Sequence, residues 1–164
     1  MTTKADYTEE EWNELVQAPI TAGLMVMMSD AHVTSMMGEM KGMMNGMINQ
    51  PLPEGAQELV GSLIEDIKAK SENKEKMEQP DMKGKDPDTV MADMLGQLGS
   101  VASLLDEKCP EDEAAGFKQW IMGVAETTAE AGREGGFLGI GSVRVSDKEK
   151  AAMQKISQTL GLTE

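Results

Sequence analysis

The chain has 164 residues, a net charge of −14 and an isoelectric point of about 4.4. This length predicts one domain, and the acidic balance argues against nucleic acid and anionic membranes as partners, because both need a basic patch. The single cysteine excludes an intramolecular disulfide and any zinc site built of cysteines alone.

The composition predicts an all-α fold, because helix-forming residues dominate and β-branched runs of strand length are missing. Aromatic residues make up only 3% of the chain, so the core must be aliphatic and rich in methionine. The acidic N-terminal segment is unlike a signal peptide. The longest charge-free stretch, residues 15–29, is too short to span a bilayer. We therefore expect a cytoplasmic protein.

The first predicted helix begins at Thr8, which forms a capping box with Glu11. Pro19 removes one helix hydrogen bond, so the pattern predicts a kink there or a restart with Pro19 at the first helical position. Residues 20–28 are apolar almost all round, which predicts a central buried helix. Ser29 and Asp30 mark the break after it.

A segment rich in methionine and glycine follows, from Val33 to Ile48. On a helical wheel its methionines form an apolar arc, and its glycines lie on the opposite side, where another backbone could approach closely. Each interior glycine costs about 0.5–1 kcal/mol relative to alanine, so tertiary packing must hold this helix. Charges at Glu39 and Lys41 exclude a membrane helix. The arc holds Met36, Met37, Met40, Met43, Met44 and Met47, and the glycine side holds Gly38, Gly42 and Gly46.

Four interpretations of this segment stay open. The methionines can fill irregular gaps in the core, or they can form an adaptable groove for a partner helix or an apolar ligand. The helix can also mediate self-association, as in a homodimer. Lastly, thioethers and an imidazole suit a soft metal such as Cu(I). The candidate metal ligands are His32, Met36, Met40, Met43 and Met47. The candidate interaction residues are Met36, Met40, Met43, Met47, Gly38, Gly42 and Gly46.

The rest of the first half is a turn over residues 50–55 and an amphipathic helix. Residues 71–85 are charged, contain proline and glycine and lack apolar periodicity, so we expect an exposed linker. It joins two halves, 8–70 and 86–162, of one helical domain that spans residues 1–164. The inner stripe of the amphipathic helix is Ala56, Leu59, Val60, Leu63, Ile64 and Ile67.

Three helices are predicted after the linker. The first has Asp86 as its N-cap and Pro87 at its first position. The last follows a glycine-rich loop, residues 132–145, and opens with a capping box of Ser146 and Glu149. The predicted inner residues are Met91, Met94, Leu95, Leu98, Val101, Ala102 and Leu105, then Phe117, Trp120, Ile121, Val124, Ala125 and Thr128, then Ala152, Met153, Ile156 and Leu160.

No constellation in the sequence predicts catalysis. His32, the only histidine, is interpreted as a helix-terminus or surface residue, and Cys109 as a structural cysteine. The glycine-rich loop matches neither the Walker A pattern nor the dinucleotide-binding pattern. The sequence also lacks the E-x-x-H pair of di-iron proteins and an EF-hand loop. We therefore expect neither an enzyme nor a cofactor.

The segment from Trp120 to Leu162 resembles the helix–turn–helix part of TerB-like domains, which are helical domains associated with tellurite resistance and stress systems. It combines an apolar helix, the tetrapeptide from Ala129 to Gly132, an insertion and a second apolar helix. The acidic residue of the family's turn is absent, and the turn is enlarged. The resemblance implies an all-α bundle with internal duplication. The matching residues are Val145, Ser146, Glu149, Ile156, Leu160 and Gly161.

Taken together, these patterns predict about six helices in a single compact bundle. One arrangement of this bundle would be two pseudo-repeated halves of three helices each. The predicted function is non-enzymatic binding or assembly, in which the methionine and glycine segment contacts a protein partner or a second copy of the chain. The alternatives are soft-metal binding and a TerB-like role in stress response.

Overall fold

The computed structural model describes residues 1–30, 36–73, 82–131 and 145–162. These residues form a short 3-10 helix, Lys4–Asp6, and six α-helices joined in a compact bundle, which confirms the predicted all-α fold. The α-helices are α1 (Glu9–Ser29), α2 (Met36–Asn49), α3 (Gln57–Glu72), α4 (Pro87–Lys108), α5 (Glu111–Ala131) and α6 (Asp147–Leu160).

Local capping chemistry explains where several of these helices begin and end. The hydroxyl oxygens of Thr8 and Ser146 accept hydrogen bonds from backbone N–H groups three residues on, in the predicted capping boxes of α1 and α6. Asp86 caps α4 in the same way. Gly161 ends α6 with a φ of 72°, a conformation that glycine adopts without steric cost.

Pro19 does not restart the first helix, so this alternative of the sequence prediction is wrong. α1 runs continuously through Pro19, which is buried together with Ala18 and Ile20. A proline inside a helix removes one backbone hydrogen bond. The apolar surroundings on both sides of Pro19 offset this loss, because α1 contacts every other α-helix of the described chain.

The helix directions follow from contacts along α1. Glu11, near its start, forms an ion pair of 2.7 Å with Lys108 at the end of α4, whereas Gly23 lies beside Thr128 near the end of α5. α1 therefore runs antiparallel to α4 and parallel to α5. This central position agrees with the continuous apolar character of residues 20–28.

The two predicted halves interleave rather than pack as separate units. α2, from the first half, has its most extensive contact with α5, from the second, and α1 contacts α4, α5 and α6. The predicted linker lies partly outside the described residues, as 74–81, and so does most of the glycine-rich loop, as 132–144.

The core is built as the periodic patterns predict, with few differences. The inner stripes of α3 and α5 are buried throughout. Met91 and Leu95 in α4 and Met153 in α6 are only half-buried, and Val90 is buried in addition. None of the described helices is long and apolar enough to cross a bilayer.

Candidate functional site

The glycine side of α2 lies directly on α5. A methyl group on Gly38 would come within 2.9 Å of the Ala131 carbonyl oxygen, and one on Gly46 within 3.2 Å of the Val124 Cα. These pairings show that α2 and α5 are antiparallel. The three glycines therefore allow close backbone approach, and the partner is a helix of the same chain.

Two methionines of α2 anchor the helix in the core. Met43 is 3% exposed and Met47 is fully buried. The Met43 side chain fills the space above Gly23 of α1, where a methyl group would lie 2.5 Å from its Cγ and Sδ atoms. The C-terminal half of α2 is thus held from two sides, by α5 against its glycines and by α1 against its methionines.

The N-terminal half of α2 leaves its methionines exposed. Met36 is 51% exposed, Met37 87% and Met40 43%. Lys41 beside them is exposed, whereas Glu39 is buried. We call Met36, Met37 and Met40 the methionine surface.

The exposure of the arc changes along the helix axis. Met36, Met40, Met43 and Met47 share one side of the helical wheel, yet the first two are exposed and the last two are buried. The methionine side faces α1, where Met43 lies against Gly23, and α1 ends at Ser29. A helical wheel contains no information on where the neighbouring helices end.

The same geometry bears on the predicted metal ligands. His32 lies outside the described residues. A metal ion bound by all four sulfurs would have to draw Met43 and Met47 out of the core, because both are buried there. Among the described residues, no group of three or more His, Cys, Asp or Glu side chains could hold a metal ion.

Elsewhere, a polar cluster connects the N-terminal segment to the corner between α4 and α5. Tyr7 Oη and Cys109 Sγ share a hydrogen bond of 3.0 Å, and the backbone N–H of Thr2 donates to both carboxylate oxygens of Glu113 at 2.9 Å. Burial raises the pKa of Tyr7, and the hydrogen bond with Cys109 raises it further. The cluster gives Cys109 a structural partner. No local sequence signal could have paired residues more than a hundred positions apart.

Two grooves lined by described residues lie elsewhere on the surface. One of about 1080 Å³ separates α5 from α6 and is lined by Met122, Glu126, Lys150 and Met153, among others. Burial raises the pKa of Glu126, and the nearby Glu130 carboxylate raises it further. A smaller groove of about 450 Å³ lies between α1 and α4. The serine hydroxyls that line the two grooves donate to backbone carbonyl oxygens, Ser157 to Leu162 and Ser100 to Gly96.

Comparison with known proteins adds no assignment to this geometry. No family model, no curated protein and no solved structure matches the chain. The resemblance to TerB-like domains therefore stays a prediction from the sequence.

Proposed function

We propose that the protein is a non-enzymatic helical binding domain that contacts a partner helix through the methionine surface of α2. The observation that carries this proposal is the exposure of three large apolar side chains, Met36, Met37 and Met40, within five consecutive positions. Clustered exposed apolar side chains are typical of interaction surfaces, whereas single ones are common on any protein.

The chemistry of methionine suits such a contact. Its unbranched thioether side chain is flexible and polarisable, so a methionine surface can adapt to partners of different shape. The carboxylate closest in sequence, Glu39, is buried, so residues 36–41 expose no carboxylate. The packing of α2 against α5 holds the surface in place before binding, which lowers the entropy cost of association.

The size of the surface favours a weak contact. Complete burial of a fully exposed methionine contributes about 1.5–3 kcal/mol, so three that are 51%, 87% and 43% exposed contribute roughly 3–5 kcal/mol. Association costs about 4–15 kcal/mol in lost freedom. The methionine surface alone therefore supports a transient complex, and a tighter one requires further contacts by the partner.

Charge favours a basic partner over a second copy. Two copies of this chain would each carry a net charge of −14 and would repel one another at low salt. The same charge attracts a basic protein from a distance. We therefore propose an amphipathic helix of a basic partner protein as the occupant, in the cytoplasm, and a homodimer is the competing arrangement.

Site-specific photocrosslinking in cells tests this proposal. The photoreactive amino acid p-benzoylphenylalanine replaces Met37 in one protein and the exposed Ala92 of α4 in a control. We expect a discrete crosslinked adduct from position 37 only, lost when Met36→Ser and Met40→Ser are added. An adduct of twice the monomer mass would identify a homodimer instead. Equal crosslinking from both positions, or none from position 37, would contradict the proposal.

A further inference from the structure

Five of the six methionines of α2 fall into two groups with opposite access to solvent, and the sixth, Met44, is half-buried. Met36, Met37 and Met40 are exposed on the surface, whereas Met43 and Met47 are 3% and 0% exposed in the core. Peroxides oxidise a methionine according to the access they have to its sulfur. One helix thus carries both an oxidisable surface and a protected anchor.

We infer that the methionine surface is a site of reversible oxidation by hydroperoxides, and that oxidation switches its binding off. In this step a lone pair of the methionine Sδ attacks one oxygen of hydrogen peroxide, and the S–O bond forms as the O–O bond breaks. The proton on the transferred oxygen passes to the departing hydroxide, which leaves as water. The thioether is oxidised to a sulfoxide by two electrons, and the peroxide is reduced.

The exposed methionines can be oxidised while the protein stays folded, because the methionines of the core are protected. Met43 is packed against Gly23 so closely that one methyl group added to Gly23 would lie 2.5 Å from the Met43 sulfur, which leaves no space for an oxygen on that side of it. Met25 and Met94, on α1 and α4, are also fully buried. Oxidation of the methionine surface therefore does not change the core contacts that hold α2 in place.

The consequence for binding rests on the proposed function. A sulfoxide is polar and presents a strong hydrogen-bond acceptor, where the thioether was apolar. A partner helix that covers the surface would bury up to three such oxygens without donors, which disfavours the complex. Methionine sulfoxide reductases restore the thioether, with two thiols oxidised to a disulfide and the oxygen released as water, so the change is a switch and not only damage.

The first test locates the oxidised residues and requires no partner. The purified full-length protein is treated with limiting hydrogen peroxide, quenched, digested and analysed by tandem mass spectrometry. We expect Met37, Met36 and Met40 to be oxidised at least about tenfold faster than Met43 and Met47. In urea this difference should vanish. Oxidation of Met43 at the same rate as Met37 in the native protein would overturn the inference.

The second test measures the effect on binding with a matched set of variants. A triple variant, Met36→Leu, Met37→Leu and Met40→Leu, keeps the surface apolar but cannot form sulfoxides. Position 37 is a leucine in this variant, so p-benzoylphenylalanine replaces the exposed Lys41 instead, in both proteins. We expect peroxide to reduce the adduct of the unsubstituted surface at least about tenfold, and methionine sulfoxide reductase to restore it.

The controls separate the two proposals. The leucine variant should crosslink equally with and without peroxide. A Met82→Leu variant should stay sensitive, because Met82 is 38% exposed but lies outside α2, in the segment before α4. Loss of the adduct in the oxidised leucine variant would overturn the switch. Absence of any adduct before oxidation would count against both the proposed function and the switch. The mass spectra of the first test would still decide whether the methionine surface is the site of oxidation.

Discussion

At the scale of single residues, the glycines of this chain differ in what surrounds them. A methyl group on Gly42 would clash with Ala131 and approach the Thr127 carbonyl oxygen to 2.8 Å, whereas one on Gly96 of α4 would meet open space. Both glycines lie within helices, so both weaken the helix by a similar amount. Only the first is required by packing.

The Gly42→Ala variant should therefore lose stability although alanine is the better helix former. Overpacking against the α5 backbone should lower the free energy of unfolding by about 1–3 kcal/mol. The matched Gly96→Ala variant should raise it by about 0.5–1 kcal/mol. Urea unfolding monitored by circular dichroism measures both. Stabilisation of similar size in the two variants would show that α2 does not lie against α5.

Tyr7 offers a second prediction at this scale, because it is the only tyrosine. Burial and the Cys109 hydrogen bond raise its pKa above the ordinary value of 10.0. A raised folded-state pKa means that its contribution to stability is complete below pH ~10 and is lost as the pH rises further. The tyrosinate absorbance should thus appear near pH ~10 in urea but only at higher pH in the native protein.

The Tyr7→Phe variant is the control for this titration. It should show no tyrosinate absorbance, and its stability should fall less steeply above pH ~10 than that of the unsubstituted protein. Identical titrations of the native and urea-unfolded protein would place Tyr7 in solvent instead.

At the scale of elements, one carboxylate of α3 makes hydrogen bonds to both α1 and the N-terminal segment. Asp66 accepts hydrogen bonds from Trp12 Nε1 at 2.7 Å and from Lys4 Nζ at 2.5 Å. Burial tends to raise the pKa of Asp66, but these hydrogen bonds and the charges of Lys4 and Lys70 together lower it. The net result is a carboxylate that is more acidic in the folded chain than in the unfolded one.

The Asp66→Asn variant should be less stable at neutral pH by about 0.5–1.5 kcal/mol, the usual value of one hydrogen bond. Because the folded-state pKa is lowered, the difference should be full above pH ~4 and disappear as the pH falls through the folded-state pKa. Thermal unfolding of both proteins between pH 3 and 7 measures it. A difference that does not depend on pH would assign the effect to packing instead of charge.

At the scale of the whole molecule, the chain folds as one interleaved unit. The glycine side of α2 lies on α5, and α1 contacts α4, α5 and α6, so each half covers apolar surface of the other. A half removed from this bundle would expose those surfaces to water. Burial of apolar surface between the two halves therefore contributes to the stability of the fold.

A fragment of residues 1–73 should accordingly fail to fold alone, although it contains three complete helices. Without α5, the three glycines of α2 have no backbone to lie against, and a helix of this length and glycine content is marginal in water. Circular dichroism should show low helicity without a cooperative thermal transition. Native-like helicity with a sharp transition would favour two independent halves.

Local chemistry explains what the sequence by itself determined. The caps at Thr8, Asp86 and Ser146 and the apolar stripes of α3 and α5 depend on residues a few positions apart, so the all-α fold and most helix ends could be read directly. The close approach that the glycines of α2 permit was visible in the same way.

Only the tertiary structure decided which other parts of the chain each helix contacts. It let α1 continue through Pro19, paired Thr2 with Glu113, and divided one methionine arc into a buried anchor and an exposed surface. These outcomes depend on where other helices lie and end, as α1 does, which contacts Met43 at Gly23 and ends at Ser29. Such long-range positions arise from the packing of the whole chain, so no periodic pattern within α2 could contain them.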